Sequence, residues 1–184
     1  MAFHEKRQTV VLFAGAGSGA DVMWEWNGSS WGTLPYDASG PAVRTRAAMA
    51  YDVNREALIL FGGFADGASQ GDTWEWGDAG WRQLTVAGPP ARNNHAMVCD
   101  RKRKRLVLFG GSNRESQELF GDTWEWDGEA WHLITAPGPE RRSMMAMTYH
   151  ETSAQVLLHG GRSADRKAFA DLWAWNGTVW TRIH

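Results

Sequence analysis

A single cysteine, Cys99, stands in this 184-residue chain, so no disulfide can form within it and its redox compartment is left open. Proline is sparse, at six residues, and no apolar run approaches the roughly 18–20 residues of a membrane-spanning helix. Charge of one sign is also lacking. With 19 basic and 21 acidic residues the net charge is −2, which gives no overall pull toward nucleic acid or an anionic membrane, and neither is expected as a partner. Met1 to Gln8 carries charge and no apolar signal-peptide core. As written the chain suits the cytoplasm, whereas a longer parent could be secreted, and the compartment is undetermined. No window holds a 3.6-residue apolar period long enough for an amphipathic helix, and no segment has the composition of a disordered tract.

What the chain has in excess is tryptophan, twelve residues in four groups of three. The groups are Trp24, Trp26, Trp31; Trp74, Trp76, Trp81; Trp124, Trp126, Trp131; and Trp173, Trp175, Trp180. The third member of each recurs at a step of about 50 residues, within the range of propeller-blade repeats. Folded onto that period, three repeats open with Gly-Pro-x-x-Arg, at Gly40–Arg44, Gly88–Arg92 and Gly138–Arg142. Glycine and proline make this a loop. A strand of small residues and methionine follows (Ala48–Asp52 and its equivalents), then a polar turn. Next comes an apolar run ending in paired glycines, such as Leu58-Ile59-Leu60-Phe61-Gly62-Gly63; the first copy is Val10-Val11-Leu12-Phe13-Ala14-Gly15. Such a run suits a strand buried on both faces, as in a sheet stacked between similar sheets. A loop of variable length leads to Asp-Thr-Trp-Glu-Trp, and a tight turn leads to a short last strand. In Trp-x-Trp the two indoles share one face and the central residue takes the other. The chain is therefore read as all-β, a β-propeller or propeller segment of four blades, each of four antiparallel strands. It forms one domain over 1–184, with blades at about 1–36, 44–86, 92–136 and 142–184.

The glycine-ended hydrophobic run, the aromatic strand after a variable loop, the single spaced tryptophan and the Pro-x-x-Arg opening together resemble the kelch-repeat family. The Asp-Thr-Trp-x-Trp-Asp-Gly form is similar to kelch-type repeats of bacterial proteins. The resemblance covers all four repeats and implies a kelch-type propeller, related to the galactose oxidase-like central domain. Kelch propellers commonly have six or seven blades, whereas four are present here and the first begins mid-strand. Both end sheets should then expose tryptophan and branched residues. Three arrangements are open: part of a longer propeller, a homodimer closing an eight-blade ring, or a tight four-blade ring.

Candidate site residues fall into three sets. Arg44, Arg92 and Arg142, at the start of the innermost strands, form either a ring of guanidinium groups for an anionic ligand or pairs between blades. Their partners in the second case are Asp72, Asp122 and Asp171, or Glu75 and Glu125. Ala174 breaks the glutamate column and leaves one arginine free in the last blade. His95 is expected to face the channel, and His159 to be a core histidine bonded to backbone. No spacing of histidines suits a metal, and neither metal nor cofactor is expected. A copper-radical oxidase would need a tyrosine crosslinked to cysteine and two histidines; Cys99 aligns with Tyr51 and Tyr149 as an ordinary inward position. Arg101–Arg105 is read as a solvated hairpin turn rather than a basic patch. The third set lies in the variable loops, at Ala16 to Ala20, Phe64 to Gly71, Ser112 to Gly121 and Arg162 to Ala170. Asn113, Arg114, Glu115, Gln117, Glu118, Arg162, Asp165 and Arg166 are its exposed polar members, on the same face as the Gly-Pro-x-x-Arg loops. The resemblance implies a binding or interaction scaffold for a protein or carbohydrate ligand, using the loop face around the channel. The alternative is a sugar-active kelch enzyme, an epimerase or mutarotase acting on an acidic sugar, with Arg92, Arg142 and His95 binding it and exchanging protons.

Overall fold

The computed structural model describes residues 1–13, 22–36 and 39–184. Ala14-Gly15, the loop Ala16 to Ala20, and Asp21 lie outside the described residues. The first sheet runs β1 (Ala2–His4), β2 (Thr9–Phe13), β3 (Met23–Trp26), β4 (Trp31–Leu34). The second holds β5 (Ala48–Asp52) and β6 (Ala57–Phe61), then, after a small hairpin of β7 (Phe64–Ala65) and β8 (Ala68–Ser69), β9 (Thr73–Gly77) and β10 (Gly80–Leu84). The third repeats this with β11 (Ala96–Asp100), β12 (Arg105–Phe109), the hairpin β13 (Ser112–Asn113) and β14 (Glu118–Leu119), β15 (Thr123–Trp126) and β16 (Trp131–Ile134). The fourth is β17 (Ala146–His150), β18 (Gln155–His159), β19 (Leu172–Trp175) and β20 (Trp180–Arg182). Every pairing is antiparallel and every four-stranded sheet keeps sequence order from its first strand to its last. The first strands β1, β5, β11 and β17 neighbour one another in that order, so the sheets are blades around an axis and the fold is an all-β propeller.

Register decides which residues meet at each seam. Ala48, Ala50, Ile59 and Phe61 on one face of the second blade pack against Met97, Leu106, Leu108, Trp126 and Trp131 of the third. The same arrangement joins the first blade to the second and the third to the fourth. All five residues of β6 are buried, as a strand covered on both faces requires, whereas β18 exposes His159. His159 is bonded to backbone, Nδ1 to the Asp171 carbonyl at 3.1 Å, but it is not in the core, because no described residue covers that face.

Hydrogen bonds add direction to this packing. Trp131 Nε1 donates to Thr73 Oγ1 at 3.0 Å and Trp180 Nε1 to Thr123 Oγ1 at 2.9 Å, each reaching back to the preceding blade. Trp126 Nε1 reaches Asp52 Oδ2 and Trp175 Nε1 reaches Glu125 Oε1, both at 2.8 Å. The first tryptophan of each motif stays in its own blade: Trp74, Trp124 and Trp173 donate to Asp72, Asp122 and Asp171 at 2.6–2.7 Å. The threonine of Asp-Thr-Trp thus serves the next blade and the aspartate serves its own.

The paired glycines have a positional reason. Gly110 sits at φ +65°, and a Cβ there would stand 2.6 Å from the Arg142 carbonyl oxygen; Gly111, at φ +97°, donates its amide to that carbonyl at 2.9 Å. Only glycine lets the opening loop of the next blade come this close.

Candidate functional site

The arginines divide by what holds them. Arg44, Arg92 and Arg142 are buried. Each forms a bidentate pair with the aspartate of its own blade: Arg44 with Asp72 at 2.5 and 3.0 Å, Arg92 with Asp122 at 2.7 and 2.9 Å, Arg142 with Asp171 at 2.5 and 2.8 Å. Backbone carbonyls take the remaining reach. Arg92 Nε donates to Pro90 O and Nη1 to Gly110 O, both at 3.0 Å, and the guanidinium stacks 3.9 Å from the Phe120 ring centroid. Burial works to raise the Asp122 pKa, and the Arg92 bonds and charge more than reverse it. Asp171, drawn down first by its bond to Arg142, falls to about 2. These arginines therefore join strands within one blade rather than pairing between blades, and none lies in the lining of the mouth described below.

A second set comes from the polar turns. Arg7 pairs with Glu25 at 2.7 and 3.2 Å, Arg55 with Glu75, and Arg103 with Glu125 at 2.9 and 2.6 Å. In the fourth blade Ser153 takes the arginine position and Ala174 the glutamate position, so both partners are replaced together and the missing acid leaves no arginine free. The Arg101–Arg105 turn is held the same way: Arg101 by Glu5 and Glu151, Arg103 by Asp100 and Glu125, and Arg105 by Asp127.

His95 does not face the channel mouth. It is buried in the seam between the second and third blades, edge-on to Phe61 at 5.5 Å and against the glycine pairs Gly62 and Gly111. Neither ring nitrogen makes a hydrogen bond of ordinary geometry. Burial lowers its pKa to about 3, with the Arg92 charge acting in the same direction; the Phe61 backbone and Asp122 oppose the shift without reversing it. The unfolded chain therefore binds the proton more tightly. Stability is fully present above pH 6.5 and falls as pH drops from there toward about 3. Replacing His95 by Met, the residue at the equivalent Met145, is expected to remove about 2–3 kcal/mol of destabilisation at pH 4.5 relative to pH 7.5. Urea unfolding of both proteins at the two pH values checks this.

The third set of arginines is free of such partners. Where the innermost strands begin, a cavity of about 510 Å³ is lined by Arg46 of the second blade, Asn93, Asn94, Ser112, Asn113, Arg114, Gln117, Glu118 and Leu119 of the third, and Ser143, Met144, Arg162, Ser163, Ala164 and Arg166 of the fourth. Its framework is tied by backbone hydrogen bonds. The opening loops pair with the variable loops through bridges Thr45–Phe64, Asn93–Ser112 and Ser143–Arg162. From blade to blade, Asn94 N donates to Arg46 O at 3.0 Å and Met144 N to Asn94 O at 2.9 Å. Arg46, Asn94 and Met144 all sit at positive φ (60°, 55° and 60°), a conformation that side chains other than Asn seldom take. Arg46 and Arg114 flank the Phe64 ring at 6.0 and 5.5 Å.

Among the described residues, none of Arg46, Arg114, Arg162 and Arg166 forms an ion pair, and all four are exposed. Glu118 is the one carboxylate in the lining. Glu115 instead turns to Ser69, accepting from its amide at 3.1 Å; the Ser69 side chain first, and that amide and the Arg114 charge to a smaller extent, draw its pKa below the usual range, and it stands outside the cavity. Asn113, Arg114, Arg162 and Arg166 are thus brought together, whereas Arg44, Arg92, Arg142, His95 and Glu115 are not. Gln117 and Glu118 of the third blade's variable loop join the former, and Arg46, Asn93, Asn94, Ser143 and Met144 of the opening loops line the cavity without having been singled out in the sequence. The signal was available: one and two places after the repeated arginine the residues change from copy to copy (Thr45-Arg46, Asn93-Asn94, Ser143-Met144) while the arginine stays.

No protein-family model matches the chain, and no curated protein matches it by sequence. Among solved structures it is similar to the structure of YjhT, with a TM-score of 0.73 over 96% of this chain at 15% identity. The chain spans 62% of the length of that structure. At this identity the likeness is one of fold, a β-propeller.

Proposed function

We propose that this chain is a binding module of the kelch-repeat type that takes an anionic ligand, on a protein or a carbohydrate, at the mouth formed by its loops. One observation carries the reading: four arginines share a cavity without a carboxylate partner, while Arg44, Arg92, Arg142 and Arg103 are each paired. Guanidinium groups held on a rim tied by backbone hydrogen bonds present forked donors to carboxylate, sulfate or phosphate at small reorganisation cost. Asn93, Asn94 and Asn113 supply neutral donors and acceptors beside them. The residues that an enzyme acting on an acidic sugar was expected to use stand elsewhere. His95 is buried away from the mouth, and Arg92 and Arg142 are occupied by Asp122 and Asp171.

Calorimetric titration with a polyglutamate peptide and a sulfated oligosaccharide tests the reading. At least one is expected to bind, at least tenfold more weakly at 300 mM than at 50 mM salt. The quadruple variant Arg46→Ala, Arg114→Ala, Arg162→Ala, Arg166→Ala should lose at least tenfold in affinity while unfolding within about 1 kcal/mol of the parent. Equal affinity of variant and parent would remove the mouth from the account.

A further inference from the structure

Each seam has two halves, and one of each kind is uncovered. The half that follows a seam presents paired tryptophans: Trp126 and Trp131 stand 5.5 Å apart and Trp175 and Trp180 also 5.5 Å, all buried. The first blade carries the same half with no described blade in front of it. Trp26 and Trp31 are already set at 5.7 Å in a similar tilt. Yet Trp31 is 45% exposed and Phe3, in the row of Tyr51 and Tyr149, is 46% exposed. The fourth blade carries the half that precedes a seam. Ala146, Thr148 and Ile183 occupy the places of Ala48, Ala50 and Leu84 and are exposed, where Ala48 and Ala50 are buried. Among the described residues no apolar cluster joins the first blade to the fourth.

We infer that these two halves meet between copies: the fourth blade of one chain packs on the first blade of a second, and a two-fold pair closes a ring of eight blades. The internal seams say which half-seam chemistry can match. Trp26 and Trp31 would face His150, Ala174 and Leu172, where blade two offers Asp52 and Thr73 and blade three offers Glu125 and Thr123. The seam between the first and second blades shows that such a replacement packs. There His4 takes the aspartate place and stands edge-on to Trp76 at 5.7 Å, and Met23 takes the threonine place and meets Trp81 Nε1 at 3.0 Å. The corner residues His150 and Leu172 of the fourth blade thus match in kind the His4 and Met23 of a seam the chain already makes. A head-to-tail contact that did not close would build open polymers, and closure covers both exposed halves at once.

Light scattering on the purified 184-residue chain between 5 and 100 μM tests this. Two 20.5-kDa chains give a species of about 41 kDa, which is the expected mass across that range. Trp31→Arg and Ala146→Arg alter opposite halves at exposed positions, and each is expected to give 20.5 kDa with the parent's circular dichroism. A parent at 20.5 kDa throughout, a Trp31→Arg or Ala146→Arg variant that stays at about 41 kDa, or mass that keeps growing with concentration would each overturn the closed pair.

Discussion

Trp126→Ala is expected to lower the free energy of unfolding by about 3–5 kcal/mol, the range for removing a large buried aromatic. The indole is 1% exposed and lies in the seam between the second and third blades, among Ile59, Leu106 and Trp131. Truncation opens a cavity the size of a ring system, and sheets held at both ends by loops have little freedom to collapse into it. It also strips Asp52 Oδ2 of the indole donor held at 2.8 Å, leaving a buried carboxylate less satisfied. Such a loss takes a large share of a domain's usual margin of about 5–15 kcal/mol. Urea unfolding at pH 7.5 measures it. A loss under about 1 kcal/mol would show that this ring is not part of the packing between blades.

Arg92→Ala is expected to cost about 3–5 kcal/mol by a different route. The guanidinium is fully buried and answers four acceptors: Asp122 twice, Pro90 O and Gly110 O. Removing it leaves Asp122 without its counter-charge at the point where Trp124 Nε1 also depends on that carboxylate. The cost is that of stranding the partners, which exceeds the net worth of an intact pair. Arg92→Met with Asp122→Asn should therefore recover part of the loss in the same unfolding assay. Arg46→Ala, an exposed arginine two places after the equivalent Arg44, should change stability by no more than about 0.5 kcal/mol. The contrast separates arginines that build blades from arginines that face the mouth.

The all-β architecture was legible because two signals of different origin coincide in phase. Tryptophan triplets recur every repeat, and glycine-ended apolar runs such as Leu106–Gly111 precede each of them, at a constant distance from the Gly-Pro-x-x-Arg opening where that opening is present. A helix or an unrelated sheet order would break that sequence of signals. The destination of the charged residues was not legible in the same way. Arg44, Arg92 and Arg142 recur with Asp72, Asp122 and Asp171, so pairing could be anticipated. Periodicity alone does not say whether partners lie within a blade or across a seam, since both choices repeat at the same interval. The turn arginines Arg7, Arg55 and Arg103 were hidden inside polar turns of differing composition. Their common role is visible only once antiparallel pairing lays each turn beside Glu25, Glu75 or Glu125. The mouth was half legible. The variable loops pointed to Arg114, Arg162 and Arg166, whereas Arg46 reaches the same cavity because a left-handed backbone residue turns the opening loop inward. That turn has no glycine to announce it.

The proposition beneath all of this is that the tryptophans tie sheet to sheet and leave ligand contact to the loops. Hydrogen exchange at the twelve indole Nε1–H groups, assigned by single Trp→Phe variants, addresses it most directly. Trp126, Trp131, Trp175 and Trp180 donate across seams and are buried, so their indole protons should exchange orders of magnitude more slowly than a free indole. If Trp131 and Trp180 instead exchanged at the rate of a free indole in water, the seams would not be held as described and the account would fail.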